Sequence, residues 1–246
     1  MKLGQLLRQI YRILPDPPST NFRYYTLEPS PYAYLPSNPT IYDIGSKSAR
    51  AGYFGGPPPG ATVVCIDIAA GPGVDIVADA QDMRGIPSES ADCVFIVSVL
   101  QHLPSPQKAI EEAFRVLRPG GIIYVNVPFI FVYHRDPEDF NRFSVPGLES
   151  LCSRFEKLHS GSLRGPASTF CDLMICFLGI LLSFNSDAIY AAVVYVGKWC
   201  LFWVKYLDIV LGHYSTAYIM SGSPHFLGRK PLPAALSTPD DSLARP

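Results

Sequence analysis

The apolar positions of this chain fall in short unbroken runs separated by polar, glycine-rich stretches. Between residues 40 and 130 the runs are TIYDI at 40–44, TVVCIDI at 62–68, DIVAD at 75–79, ADCVFIVSVL at 91–100 and GIIYVNVPF at 121–129. Runs this short, without polar alternation, predict strands buried on both faces, as in a parallel sheet with helical crossovers. One clear helical pattern lies among them. SPQKAIEEAFRVL at 105–117 places Ala109, Ala113, Phe114, Val116 and Leu117 at apolar positions, with Ser105 to cap it and Pro106 in its first turn. RPGG at 118–121 ends that helix. Two more strands are expected near 156–163 and 224–230.

The flanks carry a different pattern. MKLGQLLRQIYRIL at 1–14 puts Leu3, Leu6, Leu7, Ile10, Ile13 and Leu14 on one helical face and Lys2, Gln5, Arg8 and Arg12 on the other. Charge interrupts it too often for a signal peptide. It reads as a helix packed on the domain, the alternative being a basic helix on an anionic membrane. Segments 170–184 and 188–212 are unusually apolar. The first is too short to span a bilayer; the second is long enough but holds Lys198, Lys205 and Asp208 at helical spacing among Trp199, Phe202, Trp203 and Tyr206. The expectation is a helix pair lying in a membrane surface, against a lid over the site or a dimer interface. The chain then divides into a helix and proline-rich arm (1–37), a core (38–168), a hydrophobic helical insertion (169–216), the last strand (217–230) and a disordered tail (231–246).

Composition narrows the function. With 48% hydrophobic residues in 246 there is enough for a full core, and a net charge of -1 gives no general attraction to nucleic acid. The six cysteines form no CxxC pair; they read as small buried hydrophobes in a reducing compartment, with no metal site. Nothing fixes an oligomeric state.

Three acids, Asp43, Asp67 and Asp79, fall at or near the carboxyl ends of successive strands, the edge where such sheets bind ligands. An acid closing the second strand suits the paired hydroxyls of a ribose. The series YDIGS, VVCIDI, DIVADAQDM, SADCVFIVSVLQHL and AFRVLRPGGIIYVNVP resembles the class I S-adenosylmethionine-dependent methyltransferases, type-11 branch, over roughly residues 38 to 160. The resemblance implies an α/β fold: a Rossmann-like, doubly wound, mostly parallel seven-stranded sheet, with the helical insertion before the last strand. It implies S-adenosylmethionine as cofactor, a loop at Asp43, Gly45 and Ser46 near its methionine part, and Asp67, followed by Ile68, on its ribose. Asp79 and Ala80 would flank the adenine, with Ser98, Gln101 and His102 facing cofactor and substrate. The family's D-x-G-x-G loop is here DIGSKS followed by ARAGYFGGPPPG, so a short or irregular first helix is expected.

PFIFVYHRDPEDFNRFSVPGLESL, after the fifth strand, resembles a subgroup common among surface-polysaccharide and glycolipid enzymes. Methyl transfer asks the protein to position the acceptor and to take its proton. His134, Asp136 and Asp139 are the candidates, with Arg142 to orient an acidic group; the alternative is that Asp139 and Arg142 only fix each other. The reading is a methyltransferase for a glycan, glycolipid or small-molecule acceptor, cytoplasmic and peripheral on the inner membrane face. A non-catalytic cofactor-binding scaffold is the alternative. A nicotinamide-dependent reductase is less well supported, since no GxGxxG follows the first strand.

Overall fold

The computed structural model describes residues 15–21, 27–45, 50–134, 138–220 and 222–233. The helix expected over 1–14, Ser46, Lys47, Asp136 and the tail from residue 234 lie outside the described residues.

Seven strands form one sheet: β1 Thr40–Ile44, β2 Thr62–Asp67, β3 Ile76–Val77, β4 Ala91–Val97, β5 Leu117–Asn126, β6 Glu156–Ser162 and β7 Pro224–Arg229. Their spatial order is β3-β2-β1-β4-β5-β7-β6. β1 to β5 pair in parallel, while β7 runs antiparallel between β5 and β6. Ile41, Ile44, Phe95, Ile96, Ile122 and Ile123 are buried on the two faces of the central strands, which is why those strands read as continuous apolar runs. Strand order reverses between β1 and β4, so a crevice opens beyond their carboxyl ends.

The crossovers depart from expectation. Helix α1, Pro106–Val116, joins β4 to β5, but the described parts of the links from β1 to β2, β2 to β3 and β3 to β4 are turns without an α-helix. Glycine and proline at 52–60 explain the first case. Aromatic side chains cover the sheet there instead. Tyr32, Tyr53 and Phe54 surround Phe95 at centroid distances of 5.5, 5.4 and 6.5 Å. Leu27 and partly buried Tyr34 and Leu35 complete that face, so this stretch of the arm belongs to the core. On the other face Arg115 of α1 donates to the carbonyls of Met83 and Ile86, 2.8 Å each, and binds the 79–90 segment down. Ser105 makes no side-chain cap; its backbone N–H donates to Gln81 Oε1 at 2.9 Å.

Helix α2, Val145–Leu151, precedes β6, and the insertion follows it. Helix α3, Pro166–Leu182, packs against α4, Asp187–Leu201; the chain then tightens into a 3₁₀ segment, Phe202–Leu207, and a last turn, α5, Asp208–Leu211. One continuous helix over 188–212 with Lys198, Lys205 and Asp208 on a shared face is therefore not what forms. Lys205 turns inward and donates to the Ser19 carbonyl at 2.7 Å. Asp208 is fully buried and caps α3, accepting from the N–H groups of Ala167 at 2.7 Å and Ser168 at 2.9 Å. The change to 3₁₀ geometry rotates these two charges onto the protein. Phe177, Ile180, Phe184, Trp199, Trp203 and Tyr206 remain exposed. The run Asp187–Leu211 is long and apolar enough, by length and composition, to cross a membrane. All six cysteines are free, and Cys200 is exposed rather than buried.

Candidate active site

A cavity of about 520 Å³ lies at the carboxyl edge of the sheet, where strand order reverses. Gly45 after β1, Val97 and Ser98 at the end of β4, and Asn126 at the end of β5 line one side. His102, Phe131, His134, Arg142 and Arg164 line the other.

The strand ends are shaped for close approach. Gly45 has φ +69°, and a Cβ there would stand 2.4 Å from Val99 Cγ2, so only glycine fits without displacing Val99. Its N–H donates to the Ile66 carbonyl at 2.7 Å. Ser98, with φ +56°, holds the left-handed region without being glycine, and its N–H donates to the Asn126 carbonyl at 2.8 Å. Conformations of this kind concentrate at functional sites. Asn126 Nδ2 donates to Ser223 Oγ at 3.0 Å and to the Pro224 carbonyl at 2.8 Å, tying β5 to β7 at the cavity wall.

The acids take different places. Asp43 is fully buried, does not line the cavity, and accepts the Ala51 N–H, holding the turn that returns from β1. Asp67 closes β2 and accepts the Ala69 N–H at 3.2 Å; the next residue, Ile68, is 67% exposed. Asp79 accepts the Gln81 N–H at 2.8 Å, and Ala80 is buried in the core. Asp67, Ile68, Asp79 and Ala80 thus follow β2 and β3, outside the cavity lining.

The opposite wall is a hydrogen-bonded loop. His102 Nδ1 donates to the Glu138 carbonyl, which leaves Nε2 to accept from Gln101 Nε2 at 3.0 Å. The His102 and His134 rings are 5.9 Å apart. Gln101 is 3% exposed, and its Oε1 accepts no hydrogen bond among the described residues. Asp139 accepts the His134 N–H at 2.8 Å and pairs through both oxygens with the Arg142 guanidinium. Its side chain is 1% exposed, and the Arg142 hydrogen bonds hold its carboxyl below the usual carboxylate range. Asp139 therefore fastens the loop and is poorly placed to take a proton, whereas the exposed His134 lines the cavity. Arg164, nearly buried, pairs with Asp172, donates to the Ser168 carbonyl at 2.7 Å and lies 5.5 Å from the Phe131 ring.

The cavity thus unites Gly45, Ser98, Gln101, His102, His134 and Arg142 from the sequence reading. It adds Asn21, Tyr53, Asn126, Arg164 and Ser223, which that reading missed. Asn126 carried a usable signal, a polar residue at the carboxyl end of an apolar strand. Arg164 carried another, a lone charge in GSLRGP just after the sixth strand.

This sheet order, with β7 antiparallel and a cavity at the crevice beside β1, is the fold of the class I methyltransferases. Residues 57–125 match the family model described as a methyltransferase domain. Over that segment the chain is similar to the S-adenosylmethionine-dependent methyltransferases of the type-11 branch. Thiol S-methyltransferase TMT1B of Homo sapiens is 43% identical over 49 residues, a stretch spanning 20% of this chain and 20% of that protein. Phosphoethanolamine N-methyltransferase 2 of Haemonchus contortus, solved with S-adenosyl-L-methionine, aligns at TM-score 0.50 and 16% identity, over 81% of this chain and 50% of that one. The (4+2)-cyclase SpnF aligns at TM-score 0.51 and 16% identity, over 94% and 93%. The structural likenesses concern the fold.

Proposed function

We propose that this protein transfers the methyl group of S-adenosylmethionine to a small acceptor, glycan or lipid-linked, at a membrane surface. The observation that carries the reading is the cavity, which opens on the strand ends of a methyltransferase domain.

The residues present fit the cofactor. Gly45 brings bare backbone to the cavity, and Gln101 Oε1 is a buried acceptor suited to an ammonium group. Asp67 offers a carboxylate to ribose hydroxyls, and the exposed Ile68 beside it offers an apolar face to adenine. Asp79 and Ala80 complete the adenine side, Ser98 and His102 the side toward the acceptor. Asp43 supports the first loop from behind, and Ser46 belongs to that loop by sequence.

The bound sulfonium supplies an activated methyl group with a good leaving group. The chain's task is to position the acceptor and receive its proton. His134 is assigned that proton. Arg142, clamped by Asp139, holds the loop, and Asp136 of the same loop is assigned to positioning the acceptor. A thiol acceptor is a second reading, favoured by the local identity to TMT1B. A thiol ionises near pH 8.5 without help. His134→Ala would then spare turnover at alkaline pH but not for a hydroxyl acceptor.

The insertion supports a peripheral place on the inner membrane face. Its exposed side presents Phe177, Ile180, Trp199 and Trp203, while Lys205 and Asp208 turn inward. The test is incubation with methyl-labelled S-adenosylmethionine and a membrane extract. Label is expected in a glycan or lipid fraction. Tight cofactor binding with no label in any fraction would leave a binding scaffold.

A further inference from the structure

We infer that a second, smaller cavity beside the first is the subsite for the acceptor's ring, and that the ring is uncharged and hydroxylated. This rests on the methyltransferase reading for the ring's role, though not for its binding.

The second cavity measures about 260 Å³. Phe131 and Arg142 line both cavities and form the wall between them. Tyr133, Asp139, Phe140 and Asn141 complete the smaller one, and the rings of Tyr133 and Phe140 are exposed, at 67% and 55%. Large apolar rings left open around a hollow mark binding surfaces more often than chance would place them. The backbone that carries Phe140 is also fixed. The N–H groups of Phe140 and Asn141 donate to the Gln101 carbonyl at 2.7 and 3.2 Å. Asn141 Nδ2 donates to the Leu103 carbonyl at 2.7 Å. The wall that carries Phe140 is thereby pinned to the segment that carries His102.

Charge decides what the hollow accepts. Among the described residues that line it Arg142 is the one cation, and that guanidinium is committed to Asp139 and the Val132 carbonyl. The pair is neutral, so among the described residues of the lining there is no spare positive charge for a phosphate or carboxylate. Phenyl and phenol faces remain, and they favour a flat apolar surface: the C–H face of a sugar or the face of an arene. Tyr133 OH directs its proton to Glu138 Oε2 at 3.3 Å, so the phenol oxygen in the lining keeps lone pairs to accept from a ring hydroxyl. A ring seated here borders Phe131 and Arg142, which also line the cavity that holds His134.

Saturation-transfer NMR on the full chain, without cofactor, tests this with methyl β-glucopyranoside, resorcinol and benzoate as probes. Saturation of the glucoside or of resorcinol is expected, and the preferred one identifies the source of the ring. Tyr133→Ala with Phe140→Ala should weaken that binding tenfold or more. Phe140→Trp, which keeps a ring, should retain it. Affinity for S-adenosylmethionine, measured by calorimetry, should change less than twofold in the double variant. No saturation of either neutral probe, a preference for benzoate, or full binding by the folded double variant would overturn the subsite. A wild-type chain that binds the ring but not S-adenosylmethionine would overturn the methyltransferase reading and leave the ring site standing.

Discussion

At the residue scale, three positions separate ligand binding from stability. Asp67 offers the charged acceptor for a ribose, and hydrogen bonds to a charged group contribute about 1.5–3 kcal/mol. Asp67→Ala should lower S-adenosylmethionine affinity by that amount in calorimetry while leaving the melting temperature near wild type. Gly45→Ala should do the reverse first. It forces an L-residue to φ +69° and drives a Cβ against Val99, at a cost of roughly 1–3 kcal/mol in a denaturant titration. His225 governs the pH response. Burial, and then the neighbouring His159, push it down to about 3, whereas a histidine in the unfolded chain titrates near 6.5. Between those values the unfolded chain takes up a proton that the folded chain refuses. Stability is therefore complete above about pH 6.5 and falls as pH drops, by at most ~1.4 kcal/mol per unit from this group. His225→Gln should flatten the stability curve between pH 6.5 and 4.5. Equal slopes for variant and wild type would place the acid sensitivity elsewhere, in His159 or the paired carboxylates.

At the element scale, what the sequence made visible follows from range. β1, β2, β4 and β5 were legible because burial on both faces leaves an unbroken apolar run. Gly45, Asp67 and Ser98 were legible because they sit where those runs stop. The turns that replace crossover helices were legible only at 52–60, where glycine and proline are dense. The links after β2 and β3 lack so dense a signal. Arg164, Ser223 and Asn21 reach the cavity from distant segments, and no local pattern reports that. The insertion shows the same limit. Spacing alone put Lys198, Lys205 and Asp208 on one face, but the 3₁₀ segment between Phe202 and Leu207 changes the phase. Its cause is tertiary, since Asp208 finds two unpaired N–H groups at the start of α3. Asp208→Ala should cost on the order of 2 kcal/mol, because it removes a charged cap and leaves buried donors unmet. Amide exchange should quicken first at Ala167 and Ser168. Exchange that rose uniformly over the chain would mean the insertion unfolds together with the sheet.

At the scale of the whole molecule, the inward turn of Lys205 and Asp208 strengthens the case for membrane contact. Had both faced outward, the helix pair would have met the bilayer with charge at its centre. As folded, the outer side of α3 and α4 presents aliphatic residues flanked by Trp199, Trp203 and Tyr206, the amphipathic rings that settle at headgroup depth. The arm ties this surface to the larger cavity. Tyr195 OH donates to the Pro15 carbonyl at 2.8 Å, Lys205 to the Ser19 carbonyl, and Thr20 to Asp172, while Asn21, next in the chain, lines the cavity. A surface that docks on lipid would thus place the cavity mouth near it, where a lipid-linked acceptor is presented. Apolar burial contributes about 25 cal/mol per Å² and is insensitive to salt, whereas attraction to anionic headgroups is screened. Liposome co-sedimentation should therefore show binding that high salt reduces only in part. Trp199→Ser with Trp203→Ser should weaken it tenfold or more, about 1.4 kcal/mol, without changing affinity for S-adenosylmethionine. Salt that released the protein completely would make charge the main contact. A wild-type chain that stayed in the supernatant with anionic liposomes would remove the membrane and leave the apolar face to a second copy of the chain, which sedimentation equilibrium would then detect.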